Sequence, residues 1–272
     1  MTIGDRFRTR SIKDGYRSKP LSKIEPILLT HVLSEYPGRN VVNILDFSDK
    51  KQRDEKISMV TCYDYWSANL LEKTDIDLLL VGDSLAMVMH GYPSTVHATL
   101  ELMELHVLAV RKGAPTKFLV GDVPFLKARY RTDLVLDSVS SLMQAGCNAV
   151  KIEGATGHLE AIRHVVESGI PVMGHLGLTP QSIEKLGGHK VQGISDDSSK
   201  KILDEAAKLE DSGCFAIVLE CIPDTLAARI TANLTIPTIG IGAGPFTNGQ
   251  VLVFQDLLGM QKDFKPKFLR HY

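Results

Sequence analysis

The sequence predicts a (β/α)8 barrel of the TIM type, with an N-terminal helix and a basic N-terminal extension ahead of it. Three observations predict it. Short apolar runs recur, each closed by an acid: 78–81 with Gly82 before Asp83, 118–121 before Asp122, 149–152 before Glu153 and 217–219 before Glu220. Successive acids are 39, 31 and 67 residues apart, and a barrel of this kind uses about 31 residues per strand–helix unit. The acids therefore fall at equivalent points of successive units, with one unit passed over before Glu220. Between the runs, helical patterns alternate regularly with strands, the order of a parallel α/β fold. Strand ends of such a barrel converge on one mouth, where active sites of this fold lie.

The elements follow in order. Residues 1–40 carry Arg6, Arg8, Arg10, Lys13, Arg17, Lys19 and Lys23 against Asp5, Asp14 and Glu25, and three prolines break them up. They read as a basic, irregular arm with one short helix at 27–33; the interspersed acids set it apart from a typical transit peptide. The catalytic domain takes 41–272. Asn43 is a natural N-cap for a helix to about Asp54. Strand one is expected at 57–63, a helix at 65–73 and strand two at 77–81. A helix at 97–112 carries Leu102, Leu105 and Ala109 on one face, with Gly113 just beyond it. Strand three at 117–121 precedes a helix that Thr132 caps and Gly146 closes. Strand four is expected at 148–152, a helix at 158–168 and strand five at 171–175. The loop 176–195 is long for a compact domain, the mark of a functional or a mobile segment. A helix at 196–212, strand six at 215–219, a helix at 223–232 and strand seven at 237–242 complete the series. The eighth strand is expected at 251–254, ahead of a polar, basic tail that includes Lys265 and Leu269.

Composition bounds the function. A chain of 272 residues fits one barrel or two small domains. A net charge of −1 offers no basic surface to nucleic acid or to an acidic membrane. No apolar run approaches the ~20 residues of a membrane span, and no apolar signal core opens the chain. No nucleic-acid or membrane partner is expected, and the expected location is the cytoplasm. Cys62, Cys147, Cys214 and Cys221 form no CxxC pair and lie in or beside apolar runs, as buried, reduced thiols do.

Asp83, Asp122 and Glu153 offer only hard oxygen ligands, which favour Mg²⁺ or Mn²⁺ over zinc. Such a cation with open positions can polarise a carbonyl. Lys151 lies two residues before Glu153, so both point to the same side of the strand. That places an ammonium beside the acids, suited either to a substrate carboxylate or to a salt bridge with Glu153 alone. His175 ends strand five and faces the same mouth, either as a core histidine or as a ligand contact. Gly240, Gly242 and Gly244 suggest a dinucleotide loop, but Thr247 stands where that pattern requires glycine. The better reading is a tight backbone at a strand end.

Seven motifs then occur in one order: Val-Gly-Asp-Ser at 81–84, Gly-Asp-Val-Pro-Phe at 121–125, Val-Lys-Ile-Glu-Gly at 150–154, Gly-His-Leu-Gly-Leu-Thr-Pro-Gln at 174–181, Lys-Val-Gln-Gly at 190–193, Leu-Glu-Cys at 219–221 and Gly-Ile-Gly-Ala-Gly at 240–244. Over 43–272 the chain closely resembles the 3-methyl-2-oxobutanoate (ketopantoate) hydroxymethyltransferase family. The resemblance implies a Mg²⁺-dependent barrel enzyme of pantothenate biosynthesis. It would pass a hydroxymethyl group from the co-substrate 5,10-methylenetetrahydrofolate to the 2-oxo acid 3-methyl-2-oxobutanoate. By resemblance, Asp83, Asp122 and Glu153 form the metal site, and Asp83, Ser84, Asp122 and Lys151 surround the oxo acid. Glu220 matches the proton acceptor. The resemblance also implies a homo-oligomer, with a decamer as one candidate size and the tail docked on a neighbour. Two departures stand out: Ala86 replaces a usual glycine, and Tyr92–Pro93 replace a usual His–Asp pair, so the loop after strand two is expected to differ. The alternative is a metal-dependent aldolase or lyase of a 2-oxo acid on the same barrel, without folate. A non-catalytic oxo-acid-binding barrel and an interaction scaffold are the further rivals.

Overall fold

The computed structural model describes residues 42–129, 132–261, 266, 268 and 269. The expected arm at 1–40, its helix at 27–33, and Lys265 and Lys267 of the tail lie outside these residues. Eight parallel strands close into a barrel in sequence order: β1 (Ile57–Thr61), β2 (Leu78–Val81), β3 (Phe118–Asp122), β4 (Ala149–Glu153), β5 (Val172–Gly177), β6 (Ala216–Glu220), β7 (Thr238–Ile241) and β8 (Gly249–Leu252), with β8 pairing back onto β1. The described helices are α1 (Ile44–Gln52), α2 (Tyr65–Leu71), α3 (Leu85–Val88), α4 (Leu100–Gly113), α5 (Thr132–Ala145), α6 (Leu159–Glu167), α7 (Ile183–Leu186), α8 (Asp196–Asp211), α9 (Asp224–Asn233) and α10 (Phe254–Leu257).

The alternation of side chains across each strand builds two apolar layers. Inward-facing Met59, Leu78, Leu80, Phe118, Val120, Ala149, Met173, Ala216, Val218, Ile239 and Val251 fill the barrel. Outward-facing Leu79, Leu119, Val150, Ile152, Val172, Ile217 and Leu219 meet the helices. Helix α1 closes the lower end. Asn43 caps it as expected and accepts from the Leu45 N–H at 2.8 Å. The buried Phe47 ring then packs on Phe118 and Phe215, with centroids 5.1 and 6.1 Å away.

The structure moves several expected boundaries. Strands β3, β4 and β6 run one residue later than the apolar runs suggest, because each closing acid still belongs to the ladder. Asp122 registers with Lys151, Glu153 with His175, and Glu220 with Gly177 and Ile241. Helix α4 begins at Leu100, not at 97, because Thr99 accepts from the Leu102 N–H; a separate 3-10 turn, Thr95–His97, precedes it. Gly113 ends α4 from inside. A Cβ there would stand 2.4 Å from the Tyr65 carbonyl, so this glycine serves close packing on α2. Thr132 is the first helical residue of α5 instead of its cap. The loop 176–195 contains a 3-10 turn, Pro180–Ser182, and α7. The eighth strand starts at Gly249, two residues before the expectation, and Phe254 opens α10. Gly249 and Gln250 carry no side-chain signal for a strand, which is why the apolar pattern misplaced it. The described cysteines are all free, and Cys221 is only partly buried. Among the described residues no helix is long and apolar enough to cross a membrane.

Candidate active site

The strand register assembles the site. β3 and β4 pair so that Asp122 lies beside Lys151, and Lys151 Nζ reaches Asp122 Oδ1 at 3.0 Å. β4 and β5 pair so that Glu153 lies beside His175, whose Nδ1 is 3.4 Å from Glu153 Oε1. His175 Nε2 then points to Glu220 Oε2 of β6 at 3.2 Å. Asp83 follows β2, and its backbone N–H donates to Asp122 Oδ2 at 3.0 Å. The upper layer of the barrel is therefore a ring of charge running Asp83, Asp122, Lys151, Glu153, His175, Glu220. The structure brings together every acid expected to act there.

Burial separates the members. Asp83, Asp122, Lys151, Glu153 and His175 are all at most 6% exposed. The Glu220 side chain keeps 19% exposure, so it is the accessible carboxylate of the ring. Buried charges need partners, and here they are one another's. Burial, then Glu153 and Asp122, push the Asp83 carboxyl well above the usual carboxylate range. Burial also raises Asp122, against the pull of the Lys151 ammonium and the Asp83 N–H. For Glu153 burial works in the same sense, but His175, Lys151 and the Gln181 N–H outweigh it and hold the carboxyl low. Lys151 is opposed by burial, yet Asp122, Glu153 and Asp83 keep it above the ordinary lysine value. Burial and the Lys151 ammonium likewise oppose a charged His175, but Glu153 and Glu220 prevail and push it up to about 9. At neutral pH His175 is thus an imidazolium between two carboxylates. The Lys151 Nζ, 3.3 Å from its Nδ1, is then a like-charged neighbour.

Two residues join the site that sequence reasoning gave no role. Tyr63, which the sequence placed at the end of strand one, is fully buried past β1, and its hydroxyl lies 2.8 Å from Ser84 Oγ. Gln181 sits on the Pro180–Ser182 turn. It donates its backbone N–H to Glu153 Oε2 at 3.0 Å and its amide to Asp83 Oδ2 at 2.8 Å. A polar residue closing the 174–181 motif was the only sequence signal for it.

The glycine run at 240–244 behaves as a tight backbone. Gly242 and Gly244 hold φ of +63° and +76°, and added Cβ atoms would meet Phe268 and Asp224. Phe268 of the tail therefore lies beside Gly242 of its own chain.

The sequence profile described as "Ketopantoate hydroxymethyltransferase" matches residues 41–272. The chain belongs to the ketopantoate hydroxymethyltransferase family. Its relatives include the 3-methyl-2-oxobutanoate hydroxymethyltransferase of Coxiella burnetii (strain Dugway 5J108-111), 56% identical over 85% of this chain and 87% of that one. The protein of the same name from Bdellovibrio bacteriovorus is 55% identical over 84% of this chain and 87% of its own. By membership in this hydroxymethyltransferase family, the chain is an enzyme. Among solved structures, oxaloacetate acetylhydrolase superposes with a TM-score of 0.61 at 14% identity, covering 82% of this chain and 85% of that one. Phosphonopyruvate hydrolase complexed with oxalate and Mg²⁺ superposes at 0.59 and 10% identity, covering 77% and 80%. These likenesses show the shared barrel. Ala86 and Tyr92, expected to reshape the loop after strand two, lie side by side after β2, the Tyr92 N–H donating to the Ala86 carbonyl at 3.0 Å. Ala86 is fully buried in α3, a short helix that the sequence did not announce. Tyr92 is exposed and stacks on His97, with centroids 5.0 Å apart and planes 6° apart.

Proposed function

We propose that the barrel mouth transfers a hydroxymethyl group from 5,10-methylenetetrahydrofolate to 3-methyl-2-oxobutanoate, with Mg²⁺ on Asp83, Asp122 and Glu153 and with Glu220 as the base. The observation that carries this reading is the ring itself: one accessible carboxylate, Glu220, beside an otherwise buried set of acids and one lysine.

The acids suit a hard cation in donor chemistry. Asp122 Oδ1 and Glu153 Oε1 are buried and make charge contacts without an aligned hydrogen bond, so each keeps a lone pair free. Among the described residues no three His, Cys, Asp or Glu side chains already converge on one coordination point. When bound, Mg²⁺ supplies a Lewis acid that draws electron density from the oxo group of the substrate.

Each residue then has a task. The Lys151 ammonium, held charged by its three acids, pairs with the substrate carboxylate. Ser84, fixed by Tyr63, offers a hydroxyl to the same end of the oxo acid. Glu220 takes the proton from C3. The His175 imidazolium keeps Glu220 and Glu153 in place and separates their charges. The C3 carbanion, delocalised into the oxo group, attacks the methylene carbon of the folate. A carbon–carbon bond forms, both bonds from that carbon to the two folate nitrogens break, and water supplies the hydroxyl, while the proton taken from C3 and the second proton of the water end on the two nitrogens.

The product would be 2-dehydropantoate, an intermediate on the way to pantothenate and coenzyme A, and the setting would be cytoplasmic. The protein would assemble as a homo-oligomer. Tyr65, Trp66 and Leu70 of α2 and Leu105 of the neighbouring α4 are exposed, an apolar face of the kind that subunits cover.

One assay tests the reading against the folate-free lyase. Purified chain with 3-methyl-2-oxobutanoate and Mg²⁺ is incubated with and without 5,10-methylenetetrahydrofolate. Formation of 2-dehydropantoate only when folate is present supports the transferase; cleavage of a 2-oxo acid without folate would support the lyase.

A further inference from the structure

Gln181 ties together three strand ends with neutral donors. Its backbone N–H donates to Glu153 Oε2 at 3.0 Å, at the end of β4. Its side-chain amide donates to Asp83 Oδ2 at 2.8 Å, after β2, and to the Val123 carbonyl at 3.0 Å, after β3. Both amide partners are acceptors, so the orientation of the carboxamide is fixed.

The turn that carries Gln181 is itself held in place. Gly177, with φ +93°, brings the chain so close to β6 that a Cβ would stand 2.1 Å from the Glu220 carbonyl oxygen. The Leu178 N–H then donates to that carbonyl at 2.8 Å. On its other side the Pro180–Ser182 turn packs against the Thr95–His97 turn. Gln181 is therefore registered against the strand of the base as well as against the acids.

The division of the carboxylate oxygens among their partners follows from this. Asp83 Oδ2 and Glu153 Oε2 are each engaged by a donor of Gln181, and Asp122 Oδ2 by the Asp83 N–H. Asp122 Oδ1 faces the Lys151 ammonium at 3.0 Å and Glu153 Oε1 the His175 ring at 3.4 Å, so neither takes a donor from Gln181. A donor without charge suits this task. A lysine or arginine at position 181 would neutralise the acids and compete with a cation. An apolar side chain would leave Asp83 free to turn either oxygen toward its neighbours.

We propose that Gln181 is a positioning residue for the metal carboxylates: it engages one oxygen of Asp83 and one of Glu153, so that the remaining oxygens face the cation and the oxo acid. This rests on the reading that the mouth binds Mg²⁺. Residues that orient ligands in this way are worth about 10–100-fold in metal affinity.

The test uses the full chain and Mg²⁺ alone, titrated calorimetrically without substrate. Gln181→Met keeps the length and the backbone N–H but removes the amide donor. It should weaken Mg²⁺ binding at least about tenfold and raise the KM for the oxo acid, besides the loss of stability expected from two acceptors left without a donor. Gln181→Leu, which also lacks the amide donor and adds no charge, gives the same readout should the Met variant fail to fold. A merely structural role would lower the melting temperature and spare the affinity. Wild-type affinity in a folded Gln181 variant overturns the inference alone. A wild-type chain that binds no Mg²⁺ overturns the metal reading of the mouth and the inference with it.

Discussion

The two ends of the barrel each enclose a lysine and treat it in opposite ways. At the lower end, Lys51 of α1 is half-buried and donates to the carbonyls of Thr231, Leu234 and Ile236 at 3.0, 2.9 and 2.9 Å. These are neutral acceptors at and beyond the C-terminus of α9, where carbonyls lack helical partners and a cation is favoured. Beside it Phe47 seals the barrel with two further phenylalanines. At the mouth, Lys151 is buried among Asp122, Glu153 and Asp83, and an imidazolium stands 3.3 Å away. The lower end holds Lys51 with neutral carbonyls and an apolar plug, beside the Lys50–Asp77 ion pair. The mouth balances charge against charge, an arrangement that a bound cation and an anionic substrate would complete. The lower end is built for stability and the mouth for chemistry, as the fold generally divides them.

Substitutions can break that division. The largest effect is expected from Phe47→Ala. Losing a buried aromatic costs about 3–5 kcal/mol, which urea unfolding would register, while calorimetric Mg²⁺ affinity stays at the wild-type value. A loss of Mg²⁺ affinity in the folded variant would show that the two ends are coupled. Lys51→Met comes next. It leaves three carbonyls without their donor, and unsatisfied groups cost about 1–3 kcal/mol in stability. Steady-state kinetics should give an unchanged KM for the oxo acid.

The smallest effect is one of pH, at the mouth. In chelator-treated protein the His175 pKa is raised from 6.5 to about 9, so the folded state holds that proton more tightly than the unfolded one. The stability from the imidazolium is then fully present below about pH 6.5 and is lost as pH rises through about 9. The melting-temperature advantage of wild type over His175→Gln should shrink between these values. An advantage that grows with pH would mean that His175 is buried neutral.

Most of the barrel was legible because strands buried on both faces read as apolar runs, and a carboxylate ending such a run is costly enough to mark itself. The same logic located Asp83, Asp122, Glu153 and Glu220. It failed at β8, where Gly249 and Gln250 pair through their backbones alone. It also failed at Gln181 and Tyr63. Their roles depend on contacts with strands distant in sequence: Gln181 meets Asp83 across 98 positions and Tyr63 meets Ser84 across 21. The link from His175 to Glu220 was invisible for the same reason, since only the β5–β6 register creates it.

The central claim is that Glu220, the accessible acid of the ring, removes the C3 proton of the oxo acid without help from folate. The most direct test follows the C3 proton of 3-methyl-2-oxobutanoate by NMR in deuterated water, with Mg²⁺ and no folate. Wild-type enzyme should wash the signal out. Removal of Mg²⁺ should stop the exchange, and Glu220→Gln should slow it by about 10²–10⁴-fold, the usual contribution of a general base. Exchange at the wild-type rate in Glu220→Gln would assign the base elsewhere, and exchange that begins only when folate is added would contradict the stepwise account.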